Sequence, residues 1–120
     1  MKKLLFVLFV LGLSTQIFAK ITAKDVTGSW KYTIETDQGP MTGIIKVIEK
    51  EGKLAGNVAT GEGTTIPFTK IEIQEEDILY FEVAPDYEVF KVTLKIDGKK
   101  FTGTVTNLDV KVSITGEKQE

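Results

Sequence analysis

The sequence predicts an all-β protein, an eight-stranded antiparallel up-and-down β-barrel. Val, Ile and Thr make up about a third of the chain after residue 19, whereas Leu and Ala are few. Branched side chains suit a pleated strand and crowd the preceding turn of a helix. Hydrophobic residues recur at every second position in several segments, and no segment sustains the 3.6-residue spacing of a helix. Turn-forming residues separate these segments every 8 to 14 positions.

Residues 1–19 predict a secretory signal peptide. Lys2 and Lys3 precede an apolar run over residues 4–13, and the segment ends in a small residue, Ala19. This is the order of a signal peptide with its cleavage site. The apolar run is about half of the roughly 20 residues that a membrane-spanning helix requires. A retained anchor or a buried first strand is the alternative.

Cleavage after Ala19 would leave one domain over residues 20–120. We expect this domain to be exported to the periplasm or the extracellular space, with no stable membrane insertion once the signal is removed. After residue 19 the chain has 13 Lys against 17 Asp plus Glu. This balance argues against nucleic acid and against an anionic membrane surface as partners.

Alternation of apolar and polar residues defines the strands. Trp30, Tyr32 and Ile34 alternate with polar neighbours, as in an antiparallel sheet with one buried face. Pro67 removes a hydrogen-bond donor from the fourth strand and predicts an edge or a bulge there. Closure into a barrel would remove exposed edges, and a two-sheet sandwich is the alternative. The predicted strands are 28–36, 41–50, 53–60, 65–74, 78–83, 87–96, 100–106 and 109–117.

The inward positions of these strands form the predicted interior. An eight-stranded barrel is about wide enough either to be filled by side chains or to hold one small ligand. Both alternatives are open, and Trp30 either plugs one end or lines a cavity. The predicted ligand-binding residues are Trp30, Tyr32, Ile34, Phe81, Phe90, Val92, Phe101, Val105 and Val112. Ile114 completes the inward set, and Tyr32, Asn57 and Thr104 are candidate polar anchors.

Composition argues against an enzyme. The chain has no His, no Cys and no Arg. It therefore lacks the usual general base, the thiol nucleophile and the bidentate anion clamp. Most acids fall on predicted turns or outward positions, and the two serines after residue 19, Ser29 and Ser113, have no His partner. We expect no catalytic residues, no metal site and no cofactor.

Several short motifs resemble those of known β-barrels. Gly28-Ser29-Trp30 is similar to the Gly-x-Trp signature of the calycin group, which includes lipocalins, avidins and fatty-acid-binding proteins. A closer resemblance is to a family of small secreted bacterial lipocalin-like domains of undefined activity. Its pattern adds a Thr-x-x-Gly turn, here Thr36 and Gly39, and repeated Asp-Gly-Lys-apolar-x-Gly-x-Val hairpins, here 52–58 and 97–105.

This resemblance implies a barrel fold, export and a Trp that packs across one end of the barrel. It brings no catalytic set. Lipocalins also pack an Arg on this Trp and carry a C-terminal helix, and this chain lacks the Arg and the length for the helix. We predict an exported barrel that binds a small hydrophobic or amphipathic ligand in its interior. The alternative is a filled scaffold that contacts protein or glycan at the cell envelope, with no particular protein partner indicated.

Overall fold

The computed structural model describes residues 21–108 and 110–119, so the predicted signal peptide and Lys20 lie outside the described residues. Eight antiparallel strands form a closed barrel in which each strand pairs with the next and the last pairs with the first. This closure confirms the predicted up-and-down barrel and excludes the two-sheet sandwich. The strands are β1 (Gly28–Thr36), β2 (Gly39–Lys50), β3 (Lys53–Thr60), β4 (Thr65–Gln74), β5 (Ile78–Val83), β6 (Phe90–Asp97), β7 (Lys100–Asn107) and β8 (Val110–Lys118).

Two strand boundaries differ from the prediction by more than one residue. β2 begins two residues early, because Thr36 pairs directly with Gly39 across a two-residue turn. β6 begins at Phe90 instead of residue 87. Asp86 and Tyr87 have φ angles of 54° and 67° and lie in or beside a short 3₁₀ turn. These left-handed conformations do not fit an extended strand.

β4 bends beside Pro67. Its pairing with β3 covers residues 65–67 against 57–59, and its pairing with β5 begins at Phe68. The register then shifts between Phe68 and Lys70, so Thr69 is a bulge. The sequence predicts either an edge strand or a bulge near Pro67. A closed barrel has no edge strand, so the structure supports the bulge.

Two glycines bring neighbouring strands close together. A Cβ atom on Gly56 would meet the carbonyl oxygen of Lys46, and one on Gly103 would meet that of Thr93. In each copy of the repeated hairpin motif, the glycine lies two positions after the first large apolar residue, which is Leu54 or Phe101. The two motif segments thus fold into equivalent hairpins that let the barrel wall curve tightly.

A one-turn helix, α1 (Ala23–Val26), precedes β1 and was not predicted. The Thr22 backbone N–H donates to the Asp25 carboxylate at 2.8 Å, and the Asp25 N–H donates to the Thr22 hydroxyl at 3.3 Å. This capping box fixes the helix so that Val26 is fully buried in the barrel end. Within the described part of the chain, no helix has the length and apolar character to cross a bilayer.

Candidate ligand-binding site

Trp30 closes the barrel end that α1 covers. Its side chain is 1 % exposed, and its Nε1–H donates to the Val26 carbonyl at 2.9 Å. The Phe101 ring packs against it with the ring centroids 5.7 Å apart. Lys118 Nζ lies 5.5 Å from the Trp30 ring centroid and donates to the Asp25 carbonyl at 3.2 Å. Lys118 therefore places a cation beside the indole of Trp30 and links β8 to α1.

A cavity of about 90 Å³ lies in the other half of the barrel, towards the end where β1, β3, β5 and β7 finish. An engineered apolar cavity of about 150 Å³ holds benzene, so this one has room for a few carbon atoms. All of its lining side chains are apolar apart from the hydroxyl of one tyrosine. They are Tyr32, Ile34, Ile45, Val58, Phe81, Val83, Val92, Val105 and Ile114.

Tyr32 also lines a groove of about 380 Å³ that opens to solvent at the same end of the barrel. Met41 projects there from the face of β2 that carries Ile45, and it is 53 % exposed. The mouth of the barrel therefore combines an apolar interior with a polar outer lip. The other groove residues are Thr42, Thr60, Gly61, Glu62 and Thr64.

The Tyr32 hydroxyl is a buried polar group for which the described residues offer no partner. The side chain is 4 % exposed, and burial raises the pKa of its hydroxyl above the usual value of 10.0. Among residues 21–108 and 110–119, no group hydrogen-bonds to this hydroxyl. Gly43 of β2 lies opposite Tyr32 in the β1–β2 ladder and makes room for the hydroxyl. A Cβ atom on Gly43 would lie 2.6 Å from the Tyr32 oxygen. Buried polar groups are almost always hydrogen-bonded, so this hydroxyl is suited to a bound molecule.

The structure divides the predicted ligand-binding residues into two groups. Trp30 and Phe101 lie at the closed end, away from the cavity. Phe90 and Val112 are half-buried and do not line it either. The remaining five, which line the cavity, are Tyr32, Ile34, Phe81, Val92 and Val105.

Two of the proposed polar anchors face the other way. Asn57 and Thr104 each precede an inward valine, Val58 and Val105, and alternation places them on the outer surface. The anchor interpretation is therefore wrong for these two residues and stands only for Tyr32. Sequence reasoning missed Ile45, Val58 and Val83, although the alternation in β2, β3 and β5 would have identified their inward faces. Among the described residues, no group of three or more acidic side chains could hold a metal ion.

These features define a closed β-barrel with one plugged end and one open end. The fold is similar to a redesigned β-barrel, with a TM-score of 0.62, 17 % identity and coverage of 82 % of this chain and 95 % of that one. It is similar to a redesigned β-barrel bound to DFHBI, with a TM-score of 0.58, 16 % identity and coverage of 81 % and 97 %. A mutant of the fluorescent protein UnaG has a TM-score of 0.53, 13 % identity and coverage of 81 % and 98 %.

At these identities the likeness concerns the fold alone. No family model matches the sequence, and no curated protein matches it.

Proposed function

We propose that this chain is an exported, non-catalytic β-barrel that binds a small hydrophobic or amphipathic molecule at its open end. The observation that carries the proposal is the apolar cavity of about 90 Å³ that shares the lining residue Tyr32 with a solvent-exposed groove of about 380 Å³. The apolar part of the ligand would enter the cavity, and its polar part would lie in the groove.

Size limits what the cavity alone can contribute. Sites for drug-sized molecules measure roughly 300–1,000 Å³, so the cavity is too small for a whole ligand and the groove is not. Each buried CH₂ group stabilises a complex by about 0.8 kcal/mol, and three of them by about 2.4 kcal/mol. Micromolar affinity corresponds to about 8 kcal/mol, so most of the binding free energy has to arise in the groove.

Other observations support the remaining parts of the proposal. One barrel of similar fold is described as bound to DFHBI and another as a designed fluorescence-activating β-barrel, so this fold is able to hold a small molecule. The absence of His, Cys and Arg supports a non-catalytic role. The charge and hydropathy order of residues 1–19 supports export.

A second candidate function is contact with protein or glycan at the cell envelope. Tyr87 is 100 % exposed and Leu108 is 94 % exposed, and both lie in loops at the open end. Asn107 donates to the Val89 carbonyl at 2.9 Å and ties these two loops together. A joined pair of exposed apolar side chains favours a macromolecular contact at this rim.

The test is a titration with 1-octanol followed by methyl NMR, because Trp30 lies at the opposite end and its fluorescence is a poor reporter. We expect shifts at the methyl groups of Ile34, Val105 and Ile114 but not at Val47 of the closed end. Native mass spectrometry of freshly exported protein should reveal a co-purifying small molecule, and N-terminal sequencing should begin at Lys20.

Val105→Phe fills the cavity and is expected to weaken octanol binding at least tenfold. Ile48→Phe enlarges an apolar side chain on the outer face of β2 and serves as the matched control, with no expected effect. Absence of cavity shifts up to the solubility limit of octanol would contradict the proposal. Shifts confined to the methyl groups of Val89 and Leu108, which are exposed at this rim, would favour the second candidate function.

A further inference from the structure

We propose that the ligand of this site is an amphipathic cation, with its apolar group in the cavity and its positive headgroup at the mouth. This inference rests on the proposed function and specifies the chemical class that the site accepts. Three observations carry it: the charge of the loops at the open end, the carboxylate in the groove and the buried hydroxyl of Tyr32.

The loops at the open end are acidic. They comprise residues 37–38, 61–64, 84–89 and Leu108, and their described residues include no lysine. The closed end also carries acids in its turns, but lysines accompany them there, Lys24 in α1 and Lys99 in the β6–β7 turn; the closed-end turn acids are Glu51, Glu75, Glu76 and Asp77. The acids of the open end are Asp37, Glu62, Asp86 and Glu88.

The nearest lysines do not reverse this charge. Lys91 and Lys111 are each the second residue of a strand that begins at the open end, and both are exposed. They alternate with the inward-facing Val92 and Val112, so their side chains leave the outer wall of the barrel. A headgroup in the mouth therefore meets carboxylates before it meets an ammonium group.

Among the residues that the structure describes, Glu62 is the only charged one that lines the groove. It makes no ion pair with any residue that the structure describes. The described polar residues that line the groove with it, Thr42, Thr60 and Thr64, carry no charge, so they leave its negative charge unneutralised. A cation in the groove gains Coulomb energy from this charge, and a carboxylate or sulfate is repelled.

Tyr32 is the second, independent indication of a ligand. Tyr32 lines both the cavity and the groove, so its hydroxyl, which has no partner among the described residues, is available to the start of the headgroup. Burial raises its pKa, so the hydroxyl stays neutral at physiological pH and adds no repulsion of its own. Its lone pairs accept a hydrogen bond from an ammonium N–H. An anionic headgroup would find no Arg in the sequence and no Lys among the described residues of the groove.

Three probes with the same octyl chain test the inference: octylammonium, 1-octanol and octyl sulfate, each kept below its micelle concentration or, for the alcohol, its solubility limit. We expect the cation to bind at least tenfold more tightly than the sulfate, with the alcohol between them. The Debye length shortens as salt is added, so charges are screened more strongly. The preference for the cation should therefore shrink between 20 mM and 500 mM NaCl. Isothermal titration calorimetry and methyl NMR provide the affinities.

Glu62→Gln should weaken binding of the cation about two- to fivefold, the range of a solvent-exposed ion pair, and leave octanol binding unchanged. The matched control is Glu49→Gln, which removes the same charge from an exposed position at the closed-end half of β2. An equal effect of the two substitutions would mean that net charge alone sets the preference and would overturn the inference.

The three probes also separate this inference from the proposed function. Equal binding of all three, or tighter binding of the sulfate, would overturn the assignment of a cation and leave ligand binding intact. Failure of both the cation and octanol to bind would instead remove the proposed function itself.

Discussion

Replacing Trp30 measures how much one residue of the closed end contributes to the free energy of unfolding. Trp30 is fully enclosed by Val26, Phe101 and the Lys118 side chain. Trp30→Ala should lower the free energy of unfolding by about 3–5 kcal/mol, because a large buried side chain leaves a cavity. This loss is a large share of the roughly 5–15 kcal/mol by which native domains are stable. Urea titration measures it, and a loss below about 1 kcal/mol would contradict the plug.

Trp30→Phe separates packing from hydrogen bonding at the same position. The phenyl ring keeps an aromatic group in the barrel end but leaves the Val26 carbonyl without its 2.9 Å donor. A buried acceptor without a partner costs about 1–3 kcal/mol. The Phe variant should therefore be less stable than the natural protein and more stable than Trp30→Ala.

Tyr80 makes stability fall at alkaline pH. Its hydroxyl donates to the Glu82 carboxylate at 2.6 Å on the outer wall. Burial, this hydrogen bond and the charges of Glu82 and Glu72 raise its pKa from 10.0 to about 12. A pKa that is higher in the folded state means stability that is complete below pH 10 and is lost as pH rises towards 12.

Urea unfolding between pH 8 and 12 checks this expectation for Tyr80. Tyr80→Phe has no hydroxyl to ionise and should lose less stability over the same interval than the natural protein. Both proteins retain the contribution of Tyr32, whose pKa is also raised by burial. Parallel stability curves for the two proteins would show that the Tyr80–Glu82 hydrogen bond does not control the alkaline transition.

At the scale of elements, α1 holds the closed end through its capping box. Asp25→Ala removes one of the two reciprocal bonds with Thr22 and should cost about 0.5–2 kcal/mol. Val26 would then be held less firmly over Trp30, so the Trp30 emission should shift to longer wavelength. Lys24→Ala changes an exposed residue of the same helix and is the control. An unchanged emission maximum for Asp25→Ala would contradict the capping role.

The strands could be predicted because successive residues of a strand point to opposite faces, so apolar and polar residues alternate along the sequence. Six of the eight strands begin within one residue of the prediction, since alternation and turn residues are both local signals. α1 could not be predicted, because four residues are too few to reveal helical spacing. The start of β6 at Phe90 depends on the left-handed backbone of Asp86 and Tyr87, which neither side chain requires.

The candidate site was only half predictable for a geometrical reason. Alternation reveals which face of a strand a residue occupies but not its height along the barrel axis. Trp30 and Tyr32 are adjacent inward residues of β1, yet one closes the barrel and the other lines the cavity. The free hydroxyl of Tyr32 depends further on Gly43 in the neighbouring strand, and this pairing is visible only in the folded chain.

Across the whole molecule, the two ends of the barrel differ in packing. Residues of the closed end, such as Trp30, Val47 and Phe101, are at most 2 % exposed. At the open end Ile34 and Phe90 are only half-buried. Opening should therefore require less free energy at the mouth than at the plug, because fewer apolar contacts are lost there.

The pairing between β3 and β4 is the shortest strand pairing that the structure describes, and it lies in the open half of the barrel. Its ladder joins residues 57–59 to 65–67, while the β1–β2 ladder runs the full length of β1. The hairpin that joins these two strands supplies four groove residues, Thr60, Gly61, Glu62 and Thr64. The same segment thus combines low local stability with direct access to the bound molecule, as expected of an entry point.

Hydrogen exchange followed by mass spectrometry tests this coupling. Backbone amides of residues 58–66 should exchange faster than those of 44–50, because the short ladder opens without unfolding the barrel. Octylammonium should slow exchange in 58–66 and leave 94–101, which run towards the closed end, nearly unchanged. Octyl sulfate at equal concentration is the control and should have little effect. Uniform slowing across the barrel would indicate global stabilisation and would contradict entry through the β3–β4 hairpin.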